Sequence, residues 1–220
     1  MVHCCTQGQD AVDSPADQPE LTECEVGFVD DSVMGNYQDF ASSPGVVHAL
    51  TGATVHNLAI GGSSATRNSD DDKSFPNVVQ DFLDHNTEEL SGDKKLCFLI
   101  NYGLNDYFGG FPIDDYQNGL RTGIRALRES YPDARIIVIS SNYILSFEKG
   151  MARTGDEENV LEDYIAPAEE IHPAENVDFL NINDALQWNE NNAAEYLVDS
   201  IHPNEEGRFL FGVEVTRAWR

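Results

Sequence analysis

The chain has 220 residues, 40% of them hydrophobic, enough for one domain with a sizeable core. Its 13 Lys and Arg stand against 39 Asp and Glu, a formal net charge of -26, and no Lys or Arg precedes Arg67. Such a surface repels phosphate backbones and anionic bilayers, so neither nucleic acid nor an acidic membrane is an expected partner.

Residues 1–22 are polar and acidic, with Pro15 and Pro19, and read as a flexible or loosely packed arm before a single domain over 23–220. The start lacks a basic n-region and an apolar h-region. No apolar run approaches the ~20 residues of a membrane span. The expected home is therefore the cytoplasm by default, or outside it if a longer chain carried a leader. Cys24 to Asp30 is the first strand, an apolar run that stops at Asp30-Asp31-Ser32. Ser42 or Ser43 caps a short helix with Pro44 in its first turn and Gly52 past its end. Thr54 to Ile60 is the second strand, closed by Gly61-Gly62. Ser74 caps a helix to about Leu90, with Val78, Val79, Phe82 and Leu83 on one face.

Lys95 to Tyr102 is a third strand, nearly all apolar, as parallel strands buried on both faces are. Gly103 to Pro112 reads as a glycine-rich aromatic loop. Asp114 caps a helix to about Ser130, with Tyr116, Leu120, Ile124 and Leu127 at helical spacing. Arg135 to Ser140 is the fourth strand, 142–156 a long loop placed to act as a lid or substrate-facing insertion, Glu157 to Ile171 a helix and Val177 to Ile182 the fifth strand. Residues 183–197 are irregular or partly helical, Asp199 to Pro203 is a turn, and Asn204 caps the last helix. Strands alternating with helices predict a parallel, three-layer α/β domain.

Four cysteines (Cys4, Cys5, Cys24, Cys97) do not resemble a disulfide framework. Cys4 and Cys5 read as free thiols, and Cys97 as a core residue. Asp70-Asp71-Asp72 lacks the alternating spacing and glycine of a calcium loop. No phosphate-binding loop, dinucleotide fingerprint or Gly-x-Ser-x-Gly elbow is present. No metal or other cofactor is expected, and the pattern specifies no oligomeric state.

Chemistry enters where strands end. Open α/β sheets bind and react at the carboxyl edge, and Ser32 stands where the first strand breaks. In Asp199-Ser200-Ile201-His202-Pro203, a carboxylate three residues before a histidine can reach the imidazole Nδ1 across a turn. That leaves Nε2 free to take a serine proton, so Ser32, His202 and Asp199 would be nucleophile, base and orienter. An acyl-transfer site also needs donors for the developing oxyanion. Gly62 can present its backbone N–H, and Asn105, in Gly103-Leu104-Asn105-Asp106, can offer its side chain. Asp106 reads as a structural cap. The similar stretch Glu169-Glu170-Ile171-His172-Pro173 falls at the opposite, amino-terminal edge of the sheet and reads as a decoy. His48, His56 and His85 read as structural or solvent-exposed.

These segments, in this order and at these intervals, resemble the blocks of the SGNH (GDSL-type) hydrolases. Asp31-Ser32 resembles block I, Gly62 the glycine of block II, Gly103-Leu104-Asn105-Asp106 block III and Asp199 to Pro203 block V. The resemblance runs from about residue 24 to the end. It implies a flavodoxin-like three-layer α/β/α sandwich on a five-stranded parallel sheet, a serine esterase, acetylesterase or thioesterase activity, and no metal. It also implies an oxyanion hole of the Ser32 N–H, the Gly62 N–H and the Asn105 side chain. One departure stands out: the family has Gly-Asp-Ser-Leu, and this chain has Asp30-Asp31-Ser32-Val33. Asp30 is expected either to set a charge beside the nucleophile, raising the pKa of the histidine, or to turn out into solvent.

The expected reaction is hydrolysis of a small carboxylic ester, an O-acetyl group on a carbohydrate foremost, since an acidic surface disfavours anionic acyl-CoA and phospholipid substrates. Alternatives are a thioesterase or lysophospholipase-type lipid hydrolase, an acyltransferase of the same fold, and a non-catalytic binding module.

Overall fold

Five parallel strands make the sheet: β1 (Cys24–Asp30), β2 (Thr54–Asn57), β3 (Lys95–Asn101), β4 (Arg135–Ile139) and β5 (Asp178–Leu180). Their order is β2-β1-β3-β4-β5, the flavodoxin-like order with a switch point between β1 and β3. Register pairs Glu25 with Thr54, Asp30 with Asn101, Asn101 with Ile139, and Ile139 with Leu180. The ends of β1, β3, β4 and β5 therefore form one level edge. The computed structural model describes residues 20–35, 42–66, 73–85, 94–145 and 160–220. Most of the acidic arm, the stretch 67–72 and most of the 142–156 loop lie outside those ranges.

Because successive strand residues face opposite ways, β1 and β3 feed two cores. On one face Val29, Phe98 and Ile100 pack with α3 (Phe75–His85), α5 (Ile113–Ser130) and α6 (Ile165–Glu175). On the other, Val26, Phe28 and Leu99 pack with α2 (Ser43–Thr51) and α9 (Glu205–Ala218). This is the three-layer sandwich expected. Capping follows the sequence: Ser42 accepts the Gly45 N–H at 3.0 Å, Gly52 ends α2 with φ +74°, and Asn204 accepts the Gly207 N–H at 3.0 Å.

Several boundaries differ from expectation. β2 stops at Asn57, three residues early, because the Asn57 side chain turns to accept the Ala59 N–H at 3.1 Å and donates to the Met34 carbonyl at 3.2 Å. Residues 103–112 are not all loop: Leu104–Gly109 form α4, with Leu104 and Asp106 buried on the sheet side. α3 is described to His85. The expected helix 157–171 is a 3-10 turn at Leu161–Tyr164 followed by α6, which runs on through Pro173. His172, the decoy, thus sits inside a helix, and its Nδ1–H donates to the Val177 carbonyl at the amino end of β5. Residues 183–197 hold two short helices, α7 (Ile182–Leu186) and α8 (Ala193–Tyr196).

The cysteine reading is corrected as well. Cys24 and Cys97 are both fully buried and joined in a disulfide with Cα atoms 5.7 Å apart. They lie 73 residues apart in sequence, and only the adjacency of β1 and β3 brings them together. Such bonds persist in oxidising compartments. No helix among the described residues is long and apolar enough to cross a membrane.

Candidate active site

Ser32 follows β1 directly and opens a single-turn helix, α1 (Ser32–Gly35), half-buried at the carboxyl edge of the sheet. Its Oγ lies 2.9 Å from His202 Nε2. His202 Nδ1 lies 2.8 Å from Asp199 Oδ2, so Nδ1 carries the proton toward the carboxylate and Nε2 faces the hydroxyl as an acceptor. Ser32 and His202 are 170 residues apart in sequence.

The turn that carries the histidine is built tightly. Asp199 Oδ1 accepts the backbone N–H groups of His202 (2.8 Å) and Ile201 (3.2 Å), so one carboxylate holds both the ring and its backbone. Burial alone would raise the Asp199 pKa, but these hydrogen bonds and the imidazole together bring it below the ordinary value. Ser200 takes φ +74°, a left-handed conformation that closes the turn. Leu197 and Pro203 form an antiparallel bridge across its base. Arg208, buried on α9, donates to the Pro203 carbonyl at 3.0 Å, and Asn142 past β4 donates to the Ile201 carbonyl at 3.1 Å. The turn is thus fastened from α9 and from β4.

Gly62 lies in the turn after β2, with φ +81°. A Cβ there would meet nothing within 4 Å, so the backbone angle, and not crowding, is what calls for glycine. The Ile60 N–H donates to the Asp30 carbonyl at 2.9 Å, which ties this turn to the end of β1. Asn105, at the start of α4, donates from Nδ2 to the Ser63 carbonyl (2.8 Å) and to Asp31 Oδ2 (3.1 Å). The expected residues from four segments therefore share one edge: Ser32 beside His202, and Asn105 bonded to the segment that follows Gly62.

Two buried carboxylates, Asp31 and Asp106, stand beside these residues. Asp31 is buried; its Oδ1 accepts the Val33 N–H at 2.9 Å while Oδ2 holds Asn105. Burial drives its pKa up to about 6, against the hydrogen bond from Val33. Asp106 accepts the backbone N–H groups of Thr66 (2.7 Å) and Ala65 (2.9 Å). It is a clamp on the segment after Gly62, in keeping with a structural role. The only sequence signal for either was adjacency, Asp31 to Ser32 and Asp106 to Asn105.

Asp30 corrects an expectation. It does not reach solvent: it is 0% exposed, and burial first, then the neighbouring Asp31 charge, push its pKa well above the ordinary value.

Among the described residues no group of three or more His, Cys, Asp or Glu could hold a metal ion. The sequence matches the GDSL-like Lipase/Acylhydrolase family over residues 24–208. The chain belongs to this family. As a GDSL-like acylhydrolase it is a serine carboxylic ester hydrolase by class. Solved structures agree in fold. A protein from Lactobacillus plantarum is 19% identical, with TM-score 0.71 over 88% of this chain and 95% of that one. Est24, a carbohydrate acetylesterase from Sinorhizobium meliloti, is 13% identical, with TM-score 0.70 over 88% and 97%. The aryl esterase of M. smegmatis is 13% identical, with TM-score 0.68 over 88% and 97%. No curated protein matches the sequence.

Proposed function

We propose that this GDSL-like acylhydrolase cleaves small carboxylic esters, O-acetyl groups on neutral carbohydrate foremost, through an acyl-enzyme on Ser32. His202 takes the Ser32 proton at Nε2 and returns it to the leaving alcohol. Asp199 keeps the imidazole in the right tautomer and offsets its charge as it becomes imidazolium. Water, deprotonated by the same imidazole, then releases the acid. The N–H groups of Ser32 and Gly62 and the Asn105 side chain would receive the oxyanion. Asn105 does so by giving up one of its two contacts, with Ser63 O or Asp31 Oδ2. The observation that carries the reading is the continuous line from Ser32 Oγ through the imidazole to Asp199, 2.9 Å and then 2.8 Å. The acetyl preference draws support from the named activity of Est24 and from the net charge of -26, which disfavours anionic substrates.

Ser32→Ala, assayed on p-nitrophenyl acetate, should lose roughly 10⁴-fold or more of kcat, as removal of a triad nucleophile does. A fluorophosphonate probe should label the native protein stoichiometrically at Ser32. Turnover undiminished in the variant would end the proposal, and a native protein left unlabelled would favour a binding module. A panel of acetyl, butyryl and longer esters with acetylated sugars reads the acyl and alcohol preference.

A further inference from the structure

Beneath the Ser32 turn lies a carboxyl to which the hydrolytic mechanism gives no task. Asp30 is the last residue of β1 and is fully buried. Its Oδ1 accepts the backbone N–H of Asp31, while its Oδ2 is buried and has no hydrogen-bond partner among the described residues. Its main-chain carbonyl accepts the Ile60 N–H at 2.9 Å and the Ser63 hydroxyl at 3.2 Å. The same residue thus touches the peptide that leads into Asp31 and the segment that carries Gly62. Asp31, one residue on, holds the Val33 N–H with one oxygen and the Asn105 amide with the other. A tilt of the Asp31 peptide would move Ser32 and Asn105 together.

We propose that Asp30 is a positioning residue for ester hydrolysis, a buried carboxyl that fixes the Asp30–Asp31 peptide and, through the Asp31 side chain, the Asn105 amide. The inference rests on Ser32 being the nucleophile. The Asp30 pKa is shifted upward, toward the uncharged form. Two ionised carboxylates side by side in a dry environment would repel each other, and burial alone already favours the neutral form; the upward pKa shift has both causes. What the site requires from residue 30 is then an acceptor of carboxyl shape, which an amide also supplies and glycine does not.

The test compares Asp30→Asn with Asp30→Gly on p-nitrophenyl acetate, well below the melting temperature of each protein, alongside the rate of fluorophosphonate labelling at Ser32. Asp30→Asn should keep kcat within about 3-fold of the native protein. Asp30→Gly should lower kcat by about 10-fold or more with KM little changed, and slow labelling in parallel, since small misplacements of a reacting group cost this much or more. A merely structural role would lower the melting temperature and leave kcat alone. Should Asp30→Gly fail to fold, Asp30→Ala takes its place, and Asp30→Asn remains decisive: a loss as large as that of the truncation overturns the proposal. Native protein labelled at Ser32 together with full kcat in Asp30→Gly would overturn the role of Asp30 alone; native protein without labelling would remove the nucleophile itself.

Discussion

Asp31 shows how one side chain can serve position and titration together. Its two oxygens bind the Val33 N–H and the Asn105 amide, yet its burial pushes the carboxyl up to about 6. An unfolded aspartate titrates near 3.9. The folded chain therefore holds this proton more tightly than the unfolded one. Its stabilising contribution is complete below about pH 4, is lost as pH rises toward 6, and stays lost above. The loss is on the order of 3 kcal/mol. Urea unfolding of the native protein and of Asp31→Asn at pH 4 and pH 7 isolates it. The gap between them should shift in favour of the variant by about that amount as pH rises, although the amide puts a donor opposite Asn105 and lowers activity. A gap that stays constant with pH would contradict this assignment. The residue scale is also where the sequence was most legible. The contact of Asp199 with His202 was readable because the carboxylate-to-histidine spacing is local, and the place of Ser32 because it sits at a strand end. Asp30 could not be placed, because whether a side chain beside a nucleophile is buried depends on the layer of helices covering it.

At the scale of elements, helix packing decides where the segment that follows Gly62 lies. Gly119 on α5 faces the backbone that follows Gly62: a Cβ there would stand 2.0 Å from the Ala65 carbonyl oxygen. One turn on, a Cβ on Gly123 would meet the Phe75 ring of α3 at 2.3 Å. The same segment is held by Asp106, which accepts the N–H groups of Ala65 and Thr66. In an open helix, Gly→Ala gains about 1 kcal/mol from propensity. Here overpacking should reverse the sign, and Gly119→Ala should destabilise by about 1–3 kcal/mol. Because the displaced atoms are backbone bound to Asp106, kcat should fall as well, read by thermal unfolding and turnover side by side. A more stable, fully active variant would mean that α5 simply shifts away. The helical face of Tyr116, Leu120, Ile124 and Leu127 was readable from its period, and all four are buried. The two glycines between them were not, because their partners are set by packing and leave no mark in the period. The same holds for α4, whose glycines and aromatics read as loop until the buried Leu104 and Asp106 anchor it, and for the Cys24–Cys97 pair, which needs β1 beside β3.

At the scale of the whole molecule, the charge of -26 sets the sign of the long-range field that an approaching substrate meets. The Debye length shrinks from ~30 Å at 0.01 M salt to ~8 Å at 0.15 M. Repulsion of an anionic substrate should therefore relax over that range, while a neutral ester feels neither state. The expected outcome is a kcat/KM for a succinyl half-ester of p-nitrophenol that climbs several-fold between these salt concentrations, against a flat response for p-nitrophenyl acetate. Equal salt responses would mean that the acidic residues act on solubility and not on substrate choice. A rise confined to the anionic ester would show that a surface composition readable from the first line of the sequence tunes selectivity at a site assembled from its ends.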